Sequence, residues 1–151
     1  MYRGNLLMKN TGTLKVLRIA EDAVLPTKGH NEDVGFDVTA IGVLKTTESG
    51  VIMLRTGLQI APPKGYYIDL IARSSLCKKG YMLANGVGVI DPIYRGEFLI
   101  PVVPIGNVIM DLEFPFRAAQ LVLRQHCTAQ VQEVSNLDNT VRGEGGFGST
   151  G

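Results

Sequence analysis

The chain has 151 residues and a mass of 16.3 kDa, enough for one domain with a real core and too little for a second lobe beside it. Its 15 basic and 14 acidic residues give a formal net charge of +1, and no run of Lys or Arg is dense enough to follow a nucleic-acid backbone. Polymeric DNA or RNA is therefore not an expected partner, whereas the composition does not exclude a small anion, which needs only a few placed cations and a divalent metal.

Met1 to Asn5 lacks the apolar core of a signal peptide, and the most apolar stretch, Phe98 to Met110, is broken by Pro101 and Pro104; a soluble intracellular protein with no membrane span is expected. Apolar residues come in short runs broken by Gly and Pro, without the three-and-four spacing of a long helix. Val51 to Ile60 reads as a strand, Pro62-Pro63-Lys64-Gly65 as a turn, and Tyr66 to Ala72 as a strand with Tyr66, Ile68, Leu70 and Ala72 on one face. Arg73 to Gly80 has room for one or two helical turns. Met82 to Ile90 and Gly96 to Val103 read as paired strands joined by a tight reversal at Asp91 to Tyr94, where Asp-Pro favours a turn. Leu121 to Val134 is a further extended segment. Many short strands at close spacing predict an all-β barrel or sandwich. Cys77 and Cys127 have no neighbours at zinc-ligand spacing and read as reduced, buried thiols. The division expected is a β domain over residues 1–135 and a mobile, Gly-rich arm over 136–151, too polar to bury a core.

Several motifs carry chemistry only in context. Gly143, Gly145 and Gly148 spell G-x-G-x-x-G, but a dinucleotide fingerprint needs a strand before it and a helix after it, and here the chain ends. Arg142 and Phe147 in the same arm, a cation and an aromatic, suit a clamp on a charged planar ligand; a plain disordered tail fits the composition too. Ser75 to Lys78 matches S-x-x-K without the S-D-N and K-T-G that accompany it in penicillin-recognising enzymes. Arg73-Ser74-Ser75 at a strand end offers a guanidinium and hydroxyls to phosphate oxygens, or else a solvated Arg and a helix cap. Asp37 lies in an apolar alternating context that is costly for a carboxylate unless it is paired, metal-linked or bonded to backbone amides. Asp91, after Val87, Val89 and Ile90, is either a catalytic carboxylate or an ordinary turn Asp. His30 and His126 stand apart from any nucleophile.

Taken in order, these segments resemble the five motifs of the homotrimeric dUTPase (deoxyuridine 5'-triphosphate nucleotidohydrolase) family. The first is similar to Asp33-Val34-Gly35-Phe36-Asp37-Val38, the second to Ala72-Arg73-Ser74-Ser75-Leu76, and the third to Gly88-Val89-Ile90-Asp91-Pro92-Ile93-Tyr94-Arg95-Gly96-Glu97. The fourth is similar to Arg117-Ala118-Ala119-Gln120-Leu121 and the fifth to Arg142 through Gly151. The resemblance covers the chain from about Asp33 to its end.

It implies a distorted jelly-roll β-barrel, a homotrimer with shared active sites, and Mg-dependent hydrolysis of dUTP to dUMP and pyrophosphate, which limits uracil in DNA and supplies dUMP for dTMP synthesis. It further implies that Gly88, Val89, Ile90 and Leu99 present backbone to uracil beside Asn85, and that Tyr94 packs under the deoxyribose. Asp91 is implied as general base on a water attacking the α-phosphorus. Arg73, Ser74, Ser75 and Gln120 hold phosphate oxygens on the same resemblance, and Mg2+ rides on the phosphates with Asp37 reaching it through water. The arm then closes, with Phe147 on uracil, Arg142 at the γ-phosphate, and Gly148 and Ser149 adding contacts.

Three departures stand out. The third motif has Pro92-Ile93 where a second acid is usual, and Ser75 and Ala72 replace a usual Gly and a common Pro; such choices look more like the enzymes of some large DNA viruses. They also lie near the related dCTP deaminases, whose chemistry depends on a Glu ten residues past the motif Asp. Here that position is Pro101, and Glu97 and Glu113 are out of register with it. A catalytically dead β-barrel binding module is a third reading, opposed by the joint presence of Asp91, Arg73, Gln120, Arg142 and Phe147.

Overall fold

The computed structural model describes residues 12–107, 110–146 and 148. Regular structure runs β1 (Lys15–Arg18), β2 (Phe36–Ala40), β3 (Gly42–Thr46), β4 (Ile52–Arg55), β5 (Leu58–Ala61), β6 (Tyr66–Ala72), α1 (Ser74–Lys78), β7 (Tyr81–Leu83), β8 (Gly88–Ile90), β9 (Ile100–Pro104) and β10 (Phe116–Gln125). One sheet has the order β2-β10-β6-β8, another β3-β4-β9-β7, and β1 pairs with β5. Every pairing is antiparallel. The fold is all-β and jelly-roll-like, as the sequence implied. Among the described residues no helix is long and apolar enough to cross a membrane.

The core forms where the two four-stranded sheets bury their inner faces against each other. Val38, Ile68, Leu70 and Leu121 from the first sheet join Leu54, Ile100 and Val102 from the second, with Phe98 among them. The alternation expected in β6 holds for Ile68 and Leu70, but Asp69 between them is also buried, its carboxylate meeting Arg124 Nε at 3.0 Å. Central strands with both faces covered lose the clean in-and-out pattern.

Four sequence expectations need correction. Val51 to Ile60 is not one strand: Gly57, at φ 66°, breaks it, and β4 and β5 enter different sheets. A Cβ there would also press on Ala20 and Ala23, so the glycine is required twice over. The segment from Met82 to Ile90 likewise splits, because β7 pairs with β9 while β8 joins β6. The extended run expected from Leu121 to Val134 instead starts at Phe116 and ends at Gln125, whose partner Tyr66 is the first residue of β6, so the ladder has nothing further to bond. Cys77 and Cys127 are free but exposed. α1 turns Leu76 inward and its neighbour Cys77 outward, and Cys127 lies beyond the end of β10.

Phe98 braces the corner at Gly57 from both sides: its N–H donates to Leu58 O at 2.7 Å, its C=O accepts Thr56 Oγ1 at 2.6 Å, and its ring is buried. Phe98→Ala is expected to lower stability by about 3–5 kcal/mol, read as a shift in denaturant midpoint at fixed protein concentration.

Candidate active site

Two cavities collect most of the residues singled out in the sequence. The first, about 260 Å³, is lined by Met53, Asn85, Val89, Ile90, Asp91, Tyr94, Glu97, Leu99 and Pro101. Its floor comes from β8 and the segment leading into β9, and Met53 arrives because it pairs with Pro101 between β4 and β9.

The turn that carries Asp91 is built locally. Tyr94 N–H donates to Asp91 O at 3.1 Å, closing a four-residue turn with Pro92 at its first central position, where the fixed φ of proline suits it. Arg95 Nη1 donates to both Pro92 O and Tyr94 O at 2.7 Å, sealing the turn from outside. Pro92-Ile93 thus forms a well-bonded reversal without a second acid, and Ile93 is left 86% exposed. Tyr94 Oη donates to Glu97 O at 3.1 Å. The phenol lies where a Cβ on residue 96 would be, which explains Gly96. Gly88 does not line the cavity; it lies 3.1 Å, measured from a hypothetical Cβ, from Asn85 Nδ2 and Leu70 Cβ, so its lack of a side chain lets the Asn85 amide lie close. Glu97 is a residue whose role the sequence did not suggest: Oε1 accepts Gly57 N–H at 2.8 Å and lies 3.5 Å from Arg55 Nε. Its carboxylate is therefore occupied in tying the cavity wall to the corner between β4 and β5.

The second cavity, about 370 Å³, is lined by Gly29, Asp33, Val34, Gly35, Asp37, Arg73, Ser74, Arg117 and Gln120. Here β2, β10 and the end of β6 meet, with Gln120 paired to Asp37. Asp37 is held neither by backbone amides nor alone: Oδ1 lies 2.8 Å from Arg73 Nε and Oδ2 lies 3.1 Å from Arg117 Nη1. Gly35 is fixed by close approach, since a Cβ there would run into the Gln120 side chain. Ser75 lies outside this lining, and its Oγ is buried without a hydrogen-bond partner. Among the described residues no three His, Cys, Asp or Glu side chains converge.

The two cavities are not neighbours in one chain. β8 runs antiparallel to β6 with Ile90 opposite Ile68, so Asp91 leaves near the start of β6 whereas Arg73 follows its end. Arg73 lies five residues beyond Ile68, roughly 17 Å along the strand at about 3.3 Å per residue. Arg142 lines neither cavity; its Nε donates to Gly145 O at 2.8 Å. Gly148 has φ 88°, while Phe147 and Ser149 lie outside the described residues.

A turn carboxylate beside a largely apolar slot, and guanidiniums with a hydroxyl in a second cavity, on a jelly-roll-like β fold, are groups suited to a hydrolase of phosphorylated substrates. A family model described as dUTPase matches residues 21–151, and the chain belongs to the dUTPase family. It is 37% identical over 142 residues to the deoxyuridine 5'-triphosphate nucleotidohydrolase of Solanum lycopersicum, covering 94% of this chain and 83% of that one. Against the enzyme of the same name from Arabidopsis thaliana it is 39% identical over 137 residues, covering 91% and 82%. In structure it resembles a mutant of the Staphylococcus bacteriophage 80alpha dUTPase with dUpNHpp, at a TM-score of 0.75 and 25% identity, covering 92% and 98% of the two chains.

Gly35→Ala is expected to lower stability by about 1–3 kcal/mol through overpacking against Gln120. Most of that loss should return in Gly35→Ala/Gln120→Ala, measured as a double-mutant cycle of unfolding free energies.

Proposed function

We propose that this chain hydrolyses dUTP to dUMP and pyrophosphate at sites shared between the subunits of a homotrimer. The observation that carries the reading is the opposite placement of the two cavities along β6. The α-phosphorus is joined to the sugar through a single oxygen, so a base-and-sugar slot and a phosphate cavity that serve one nucleotide must adjoin. Within one chain they do not. A neighbouring chain that brings its Asp91 turn against the Arg73 cavity makes a complete site, and three such contacts close a ring.

In that arrangement uracil enters the slot of Asn85, Val89, Ile90 and Leu99, where backbone donors and acceptors of fixed sense select it against cytosine. The methyl of thymine would overpack the same slot, and Tyr94 under the sugar leaves no room for a ribose 2′-hydroxyl. Asp91 takes a proton from the water that attacks the α-phosphorus in line, an orientation effect held by the bonded turn. Arg73, Ser74 and Gln120 hold phosphate oxygens; Ser75 contributes its backbone N–H at the start of α1. Asp37 keeps lone-pair sites beyond those used by its two arginines, which fits an outer contact, through water, to Mg2+ carried by the phosphates. That ion would offset charge on the leaving pyrophosphate.

Residues 136–151 act as the arm in this reading. Leu137 and Val141 within it stand almost fully in solvent, which favours a segment whose packing partner is another chain. Arg142 would then exchange its bond to Gly145 for the γ-phosphate, and Phe147, Gly148 and Ser149 would cover the base. Closure excludes all water but the nucleophile.

The decisive assay incubates the protein with dUTP and Mg2+ and follows dUMP and pyrophosphate, with dTTP, dCTP and UTP as controls. Hydrolysis of dUTP alone is expected; ammonia from dCTP would point instead to the deaminases. A complementation test addresses the shared site. Asp91→Asn and Arg73→Gln should each be nearly inactive alone, yet co-refolded in equal amounts they should regain roughly a quarter of parental activity, the fraction of sites built from two intact halves in a random ring. No recovery on mixing would place both halves in one chain and sink the trimer model.

A further inference from the structure

We infer that Glu97 is a positioning residue for sugar discrimination: its carboxylate, tied to the buried corner at Gly57, fixes the backbone carbonyl on which the Tyr94 phenol rests. The inference rests on the reading of the Asp91 cavity as the base-and-sugar half of a dUTP site, and it names what holds the sugar-facing wall of that cavity in place.

Tyr94 is 43% exposed, so packing alone does not fix its ring. Its N–H donates to Asp91 O and its Oη donates to Glu97 O, both at 3.1 Å. The phenol therefore spans from the Asp91 turn to residue 97 as a strut, over Gly96, where a Cβ would collide with it. A wall that leaves no room for a 2′-hydroxyl has to be held to within about 0.5 Å. A bond to a carbonyl that was itself free to move would not do this.

That carbonyl is anchored through its own side chain. Glu97 Oε1 accepts Gly57 N–H at 2.8 Å and lies 3.5 Å from Arg55 Nε. Arg55 Nε is buried without a hydrogen-bond partner, so the nearby carboxylate offsets a charge that would otherwise be costly there. The corner at the other end is rigid: Gly57 O accepts Ile19 N–H at 2.8 Å, Gly57 has φ 66°, and Thr56 beside it is fully buried. Glu97 thus gives its side chain to the corner and its carbonyl to the ring, and a displacement of one displaces the other. Phe98 would still hold the following residue without the carboxylate, but the peptide of residue 97 would be released, and with it the acceptor of the phenol.

Turnover of dUTP and of UTP by the full chain with Mg2+, at enzyme concentrations high enough to register the slow substrate, measures the discrimination. Glu97→Ala, assayed where circular dichroism shows it folded, is expected to cut the dUTP-to-UTP ratio of kcat/KM by about tenfold. It should raise KM for dUTP more than it lowers kcat, because the Asp91 turn keeps its own bonds. Glu97→Gln, whose amide oxygen can still accept Gly57 N–H, should recover most of the ratio. In a Tyr94→Phe background, Glu97→Ala should change the ratio by less than about twofold further, since the two residues act through one bond. In protein carrying 13C-labelled tyrosine, the Tyr94 ring resonance, identified by its loss in Tyr94→Phe, should shift in Glu97→Ala and hold in Glu97→Gln. A parental ratio in Glu97→Ala, a full effect of that change in the Tyr94→Phe background, or an unmoved Tyr94 resonance overturns the inference. A parental protein that turns over no dUTP overturns the reading of the cavity, and the inference with it.

Discussion

The antiparallel seating of β8 on β6 is the constraint on which the rest of the molecule's chemistry depends. β6 is held on its other edge by β10, so it cannot shift its register to accommodate β8. With Ile90 opposite Ile68, the turn that follows β8 must emerge at one end of β6 and Arg73 at the other. A parallel seating, or a slip of a few residues, would have put the Asp91 carboxylate and the Arg73 guanidinium on the same rim. Instead the two sets of groups stand on separate rims, and the proposed function needs another copy of the chain to bring them together.

Within each half, glycines and ion pairs do the placing. Gly35 makes room for Gln120, Gly96 for the Tyr94 ring, and Gly88 for the Asn85 amide; in each case a Cβ would crowd a side chain that lines a cavity. Charges are tied down in the same spirit. Asp37 is shared by two arginines, and Glu97 is tied to Gly57 N–H beside Arg55. A half-buried carboxylate left alone is costly. These two instead fix the walls of their cavities, while Asp91 stands on its exposed turn.

The elements that the sequence misjudged share one cause, which is that pairing partners are not written in local pattern. Val51 to Ile60 is uniformly strand-like, yet Gly57 divides it between two sheets. The extended character of Leu121 to Val134 is real in composition, but a strand ends where its partner runs out, and β6 offers nothing before its first residue, Tyr66. Arg117 was legible only as part of a motif, because simple alternation sends it to the face opposite Gln120 and only the bulge in β10 reverses that. Glu97 was legible only as the end of the third motif, its bond to Gly57 being invisible in sequence, and Met53 gave no local signal, since it reaches the Asp91 cavity by pairing with Pro101.

By itself the sequence determined the all-β class, through short apolar runs punctuated by Gly and Pro, and the family, through five ordered motifs whose residue types are dictated by the chemistry they serve. It also determined the Asp91 turn, since Asp-Pro fixes a reversal within four residues. Tertiary structure alone decided that the first four motifs divide between two cavities at opposite ends of β6, and that Asp37 spends its carboxylate on two arginines. The physical reason is that turn and strand propensities act over a few residues. Register and sheet assignment, by contrast, are settled by burial of both inner faces at once.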